Sequence, residues 1–324
     1  MSEENTKTFK MLAIISLFVY IFGICGALVR PQWVNSQWND GNTQVDNTSS
    51  LSPDEWIFGL IWGIIYLNGF VWHIYFIWVL FKKEALILDN KDNNEYVRDN
   101  FDGYLMYTSL KGKLFFGFFM LSNVFQFGWW ISVAFGQYLV AAIIITFFFL
   151  AVLGMNIYPH QYFYEVNKYG LSSRIPSPLF YKISFLNLNQ MYPTWLWLAT
   201  WVSWSGVAVS NGLDKETSGL IFTIIALIPL IIYFILDLYF WKDILQYTYT
   251  TYAVCILAFF ANLTRFGFDF TKGSQIISLL AMIAIIILVI CKTVFIGIKG
   301  RNKPNNADGN NDTNDQSGMT ATQI

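Results

Sequence analysis

The sequence predicts an all-α membrane protein with eight transmembrane helices. Three observations predict it. Of 324 residues, 55% are apolar and 13% are charged, against a charged share of ~25% in soluble domains. The apolar residues gather in blocks of roughly 18–25, long enough to cross a hydrocarbon core of about 30 Å as helix. These blocks lack the alternation of a membrane barrel, so each is expected to satisfy its own backbone as a helix. The same composition excludes a disordered chain, which needs low hydrophobicity and high charge. The net charge of −1 provides no basic surface, so nucleic acid is not an expected partner.

The elements follow in order. Residues 1–10 form the N-terminal segment, and the first apolar block spans 11–29. Gly26 and Ala27 near its end also fit a signal-peptide cleavage site. The block is longer than the usual apolar region of about 7–15 residues, however, and Glu3 and Glu4 dilute a basic start. A retained helix is therefore expected; cleavage would leave seven helices and an outside N-terminus. The polar stretch 30–53 carries Asn47-Thr48-Ser49, an acceptor pattern for N-glycosylation. The second block, 56–81, is followed by polar residues 82–112. Blocks 114–134 and 138–157 are separated by a short link, which predicts an antiparallel hairpin. After the polar stretch 158–188 come 191–211, 218–240, 246–263 and 275–298, again with short links after the fifth and sixth helices. The tail 299–324, rich in Asn, Asp and Gly from Asn302 to Gly318, is expected to be disordered. Cys25, Cys255 and Cys291 all fall inside apolar blocks and read as small core residues, not as a disulfide framework or metal cluster.

Orientation follows from the cations. With the N-terminus inside, the inner segments hold sixteen Lys and Arg, while the outer ones hold four: Arg30, Lys215, Arg265 and Lys272. This bias predicts a multi-pass protein with both termini cytosolic and the 30–53 stretch exoplasmic.

Several side chains recur at spacings that lipid alone does not require. In the second helix Trp62, Tyr66, Gly69 and His73 are four, three and four apart and line one stripe. Flat aromatic faces with polar tips suit a hydrophobic ligand bearing a few polar groups; interfacial and packing roles are the alternative, and they account best for Trp56. Gly59, Gly63 and Gly69 are expected to let neighbouring helices approach closely. His73 reads first as a neutral imidazole bonded to another helix, and second as a ligand contact or proton relay. In the third helix Asn123, Phe127 and Trp130 share a face, where an amide usually joins helices. In the fifth, Trp197, Trp201 and Trp204 fall on one face, read as a cavity wall, while Trp195 does not.

Together these residues resemble the tryptophan-rich sensory protein family, which includes the mitochondrial translocator protein (the peripheral benzodiazepine receptor). The family's second-helix signature matches Pro53, Trp56, Phe58, Gly59, Trp62 and Tyr66 at the same spacing. Its other two prolines stand here as Asp54 and Leu60. Arg30-Pro31-Gln32-Trp33 is similar to the basic element after its first helix, and Ser122-Asn123 with Trp129 and Trp130 to its third helix. Trp195-Leu196-Trp197-Leu198-Ala199-Thr200 resembles its fifth-helix run, with Ser203 where asparagine is usual. The resemblance covers residues 11–211; the helices within 212–298 look like those of a longer, eight-helix branch. It implies a five-helix bundle around a pocket for porphyrins, sterols or aromatic drug-like ligands. The candidate ligand-binding residues, read from their shared helix faces together with these motifs, are Trp62, Tyr66, His73, Asn123, Phe127, Trp130, Trp197, Thr200, Trp201 and Trp204.

The function expected is therefore binding or movement of such a ligand, with membrane lipid as the other partner, a homodimer as the candidate assembly and no cofactor. An enzyme is not expected: the sequence has no nucleophile–base set, metal cluster or phosphate loop, and porphyrin degradation, proposed for the resembled family, is a poor fit. One alternative is a proton-coupled small-solute transporter using Asp237. Another is a seven-helix receptor, should the first block be cleaved. Lys292, near the inner end of the eighth helix, is expected to snorkel, with pairing to Asp237 as the alternative. Val166/Tyr169/Arg174 and Leu236/Tyr239/Lys242 fit a loose cholesterol pattern.

Overall fold

The computed structural model describes residues 3–38, 55–89, 110–168, 179, 181–240, 242–245, 248–265 and 267–301. Asn47, Pro53, Asp54, Tyr169, Arg174, the side chains of Arg30 to Trp33 and the tail beyond 301 lie outside that description. Among the described residues every regular element is helical: α1 (Glu3–Trp38), α2 (Glu55–Asp89), α3 (Leu110–Ala134), α4 (Tyr138–Lys168), α5 (Asn189–Ser210), α6 (Lys215–Ile235), α7 (Thr250–Arg265) and α8 (Gly273–Arg301). A π-helical stretch, Tyr181–Leu188, runs into α5, and a π turn, Leu236–Phe240, extends α6 towards a one-turn helix at Lys242–Leu245.

Among the described residues five helices are long and apolar enough to cross a membrane: Trp56–Tyr75, Lys113–Ala134, Tyr138–Gln161, Lys215–Tyr239 and Gly273–Ile296. Burial agrees with that reading. Phe18, Leu67 and Leu280 are 60% exposed or more, whereas Ser122, Asn123 and Gln126 are buried. Apolar side chains outside and hydrogen-bonded polar ones inside are the arrangement lipid favours, and water would penalise it. The chain is thus an all-α, multi-pass membrane protein.

The helices pair in hairpins. Between α3 and α4 the chain turns at Gly136, φ +67°, and the N–H groups of Phe135, Gly136 and Gln137 return to carbonyls of the last turn of α3. Between α5 and α6 it turns at Gly212, φ +95°; Leu213 N–H reaches back to Ala208 O at 3.1 Å, a glycine-terminated helix end. Asp214 then caps α6, accepting from Thr217 N–H at 2.9 Å. That bond holds the exposed Asp214 carboxyl below its ordinary range. Helices α1 to α5 form one group, with α3 against α1 and α4, α2 against α1 and α5, and α4 against α5; α8 packs against α6 and α7, and α6 and α7 pack against α5. Helix α5 is thus the wall shared by both groups.

Three expectations need correction. Among the described residues, nothing stands within 4 Å of a Cβ built on Gly59 or Gly63, so of the three expected glycines Gly69 alone marks a close crossing. Cys255 is a core residue, but Cys25 and Cys291 are exposed on their helices. Lys292 does not snorkel: it turns inward, and its ammonium lies 2.7 Å from Asp237 Oδ2.

At Gly69 an added Cβ would stand 2.6 Å from the Tyr20 hydroxyl, which donates to Tyr66 O. Gly69→Ala is therefore expected to displace α1 from α2 and to cost about 1–3 kcal/mol. The midpoint of thermal unfolding in detergent measures this; Gly59→Ala, facing open space, serves as the unaffected control.

Candidate functional site

The ten singled-out residues divide into three groups. Trp62 and Tyr66 enter an aromatic cluster at the centre of α2, α3, α4 and α5. Around the Trp62 ring stand Tyr66 at 5.3 Å, Tyr192 at 6.0 Å, Trp130 at 6.1 Å, Trp129 at 6.2 Å and Phe148 at 6.5 Å, centroid to centroid. Phe58 links Trp62 to Trp195, at 6.0 Å and 5.8 Å. The helical period puts Trp62 and Tyr66 on one face, one turn apart.

Polar tips run through the same cluster. Gln126 Nε2 donates to the Tyr66 hydroxyl at 2.9 Å and to Gly23 O at 3.2 Å, and Tyr192 OH donates to Gln126 Oε1 at 2.8 Å. One amide on α3 thereby joins α1, α2 and α5. The indole N–H groups of Trp62, Trp129 and Trp195 are buried without an acceptor, and all three side chains are over nine-tenths buried. A buried donor left unmade costs about 1–3 kcal/mol, and three such donors lie in this one cluster.

The second group packs helices. Asn123 Nδ2 donates to Phe119 O at 2.8 Å, and its Oδ1 lies 2.8 Å from where a Cβ on Gly23 would stand. Phe127 fits against Gly26 and meets Phe22 at a tilt, ring centroids 4.2 Å apart. The shared face of α3 thus receives α1, with Trp130 at the border between this crossing and the Trp62 cluster. His73 is buried between Trp72, at 3.9 Å, and Tyr20, at 5.0 Å. Its Nδ1–H donates to Gly69 O at 2.7 Å, because a carbonyl can only accept. The partner is one turn back on its own helix rather than on another helix, and Nε2 is buried without a donor.

The third group faces away from the first. Trp197 Nε1 donates to Ala226 O on α6 at 3.1 Å, and Trp204 Nε1 to Thr146 Oγ1 on α4 at 3.1 Å. Trp201 meets Trp197 at 5.0 Å and Phe222 at 6.1 Å. Thr200 Oγ1 returns to Leu196 O in its own helix. Phe148 faces Trp62 while its chain neighbour Phe149 faces Trp197, at 5.2 Å. Consecutive residues diverge by about 100° around a helix, so α4 presents a separate ring to each group. Trp195, off the tryptophan stripe, is the fifth-helix residue that joins Trp62.

Spacing within one helix did not single out Trp129, Trp195, Tyr192, Gln126 or Phe148 for this site. Their common signal is type: each is an aromatic or amide residue in an apolar block, and only packing selects among the many such residues. Among the described residues no group of three or more His, Cys, Asp or Glu is placed to hold a metal ion. Searches of protein-family models, of curated proteins and of solved structures find no match to this chain.

Proposed function

We propose that this protein spans the membrane eight times with both termini on the cytosolic side, and that it binds or moves a hydrophobic, planar molecule carrying acceptor oxygens, of the porphyrin or sterol class, at the Trp62 cluster. The observation that carries this reading is the trio of buried indole N–H groups on Trp62, Trp129 and Trp195, none of which has an acceptor. Aromatic faces stack on a planar ligand, while the N–H groups orient its carboxylate, carbonyl or hydroxyl oxygens. The resemblance of residues 53–66 to the translocator-protein signature points to the same helix. Neither His73 nor the Trp197/Trp201/Trp204 stripe is needed for this site.

Quenching of tryptophan fluorescence by protoporphyrin in detergent tests the proposal, with cholesterol assayed in parallel by displacement of a fluorescent sterol. Saturable binding of one of the two is expected. Trp62→Phe or Trp195→Phe keeps a ring but removes a donor, and should weaken binding about tenfold, the value of one hydrogen bond at ~1.4 kcal/mol. Trp197→Phe should leave the affinity unchanged. Absence of saturable binding by both ligands, or equal losses in Trp62→Phe and Trp197→Phe, overturns the reading.

A further inference from the structure

The C-terminal helices hold a second cluster, independent of the aromatic site. Asp237 lies in the π turn Leu236–Phe240 at the end of α6; such turns are frequent at functional positions because they re-aim a side chain. Lys292 on α8 reaches it. The Lys292 Nζ donates to Asp237 Oδ2 at 2.7 Å, to Thr248 O at 2.8 Å and to Leu245 O at 2.9 Å. Tyr252 OH, on α7, donates to the same carboxylate oxygen. The two side chains are only 3% and 1% exposed. The ammonium thus uses all three of its donors, while Asp237 Oδ1 is buried with no partner.

Two features separate this arrangement from an ion pair that only holds helices together. A structural pair gains most when both ends are fully bonded, yet one carboxylate oxygen is bare. The ammonium, in contrast, has support beyond the carboxylate: two main-chain carbonyls, and the rings of Tyr249 and Tyr252 at 4.9 Å and 5.2 Å from Nζ, which favour a cation. It can therefore stay charged after the carboxylate is neutralised. Lys292 stands four residues before Ile296, where the apolar span ends, about 6 Å along the helix axis. The end of the apolar span is thus about one turn away.

The geometry points to a proton-loading site: Asp237 Oδ1 takes up one proton from the nearby membrane surface, the carboxylate loses its charge, and Lys292 lets go of α6 while keeping the 241–249 link. The proton adds to Oδ1 and no other covalent bond changes. The cluster passes from net zero to one positive charge, carried by the ammonium. The titratable groups that face it among the described residues are Tyr233 on α6, Tyr249 in the link, Tyr252 on α7, and His160 on α4, whose Nε2 is 3.3 Å from Thr248 Oγ1. Such a site couples proton uptake to release of the inner end of α6.

Infrared difference spectra of the full chain in lipid vesicles, acid minus neutral, test this. The wild type should show the carbonyl band of a poorly hydrated, protonated carboxyl group that shifts in heavy water and is absent from Asp237→Asn. Amide exchange over 236–245, corrected for intrinsic pH dependence, should rise about tenfold on acidification, as for loss of one hydrogen bond to a charged group; in Asp237→Asn it should be fast at both pH values. Should that variant fail to fold, Tyr252→Phe replaces it: losing a donor to the ionised form, it should show the band at higher pH than the wild type. Superimposable wild-type and variant spectra, an unshifted band in Tyr252→Phe, or a band without faster exchange each overturn the proposal.

Discussion

Lys292→Met should be the most destabilising substitution in the C-terminal helices, costing about 3–5 kcal/mol. The ammonium makes one bond to α6 and two to the 241–249 link, so a single side chain fastens α8 to both. Methionine is close in size but leaves a buried carboxylate without its counter-charge, together with two carbonyls short of a donor. The double variant Asp237→Asn/Lys292→Met removes the stranded charge and should recover a large part of the loss, because replacing both members of a buried pair is far cheaper than removing one. The buried thiol of Cys255, in the adjoining α7, is the readout: its labelling in detergent should be fast in Lys292→Met and slow again in the double variant. Equal labelling in the single and double variants would falsify the argument that charge, rather than side-chain volume, dominates here.

Gln126→Leu should have the largest effect in the first five helices. The amide makes three interhelical bonds, to Gly23 O, Tyr66 OH and Tyr192 OH. Such bonds within membranes are worth about 0.6–1.7 kcal/mol each, so their joint loss amounts to about 2–5 kcal/mol, and it acts where α1, α2 and α5 meet α3. Tyr192→Phe removes one of the three and should cost about a third as much. Unfolding midpoints in mixed detergent separate the two. A Gln126→Leu protein no less stable than Tyr192→Phe would show that α1, α2 and α5 are held by apolar packing instead.

Much of the fold was legible in the sequence because lipid imposes a blunt rule. Each apolar block must close its own backbone hydrogen bonds, so the helices fall where the blocks are, and Gly136 and Gly212 mark two of the turns. The site was legible only in part. The four-residue spacing puts Trp62 and Tyr66 on one face, and their rings do meet, since both lie on one helix. The same logic favoured Trp197, Trp201 and Trp204 over Trp195, yet their stripe packs on α4 and α6, and Trp195 reaches Phe58. Periodicity reports which residues share a face; it carries no information about which helix that face will meet.

What the sequence alone determined is the solvent and the secondary structure: apolar blocks that must be helices, with short turns between some of them, although the helices Glu3–Trp38, Glu55–Asp89 and Tyr138–Lys168 run on past their apolar blocks. Only the tertiary structure decided the partners. It turned Lys292 inward to Asp237, drew Gln126 between the hydroxyls of Tyr66 and Tyr192, and set three indole N–H groups in one cluster without acceptors. The physical reason is that burial in lipid depends on local composition, which the chain states residue by residue. Hydrogen bonds and ion pairs depend on side chains up to about a hundred positions apart, such as Gln126 and Gly23, arriving within about 3 Å of one another.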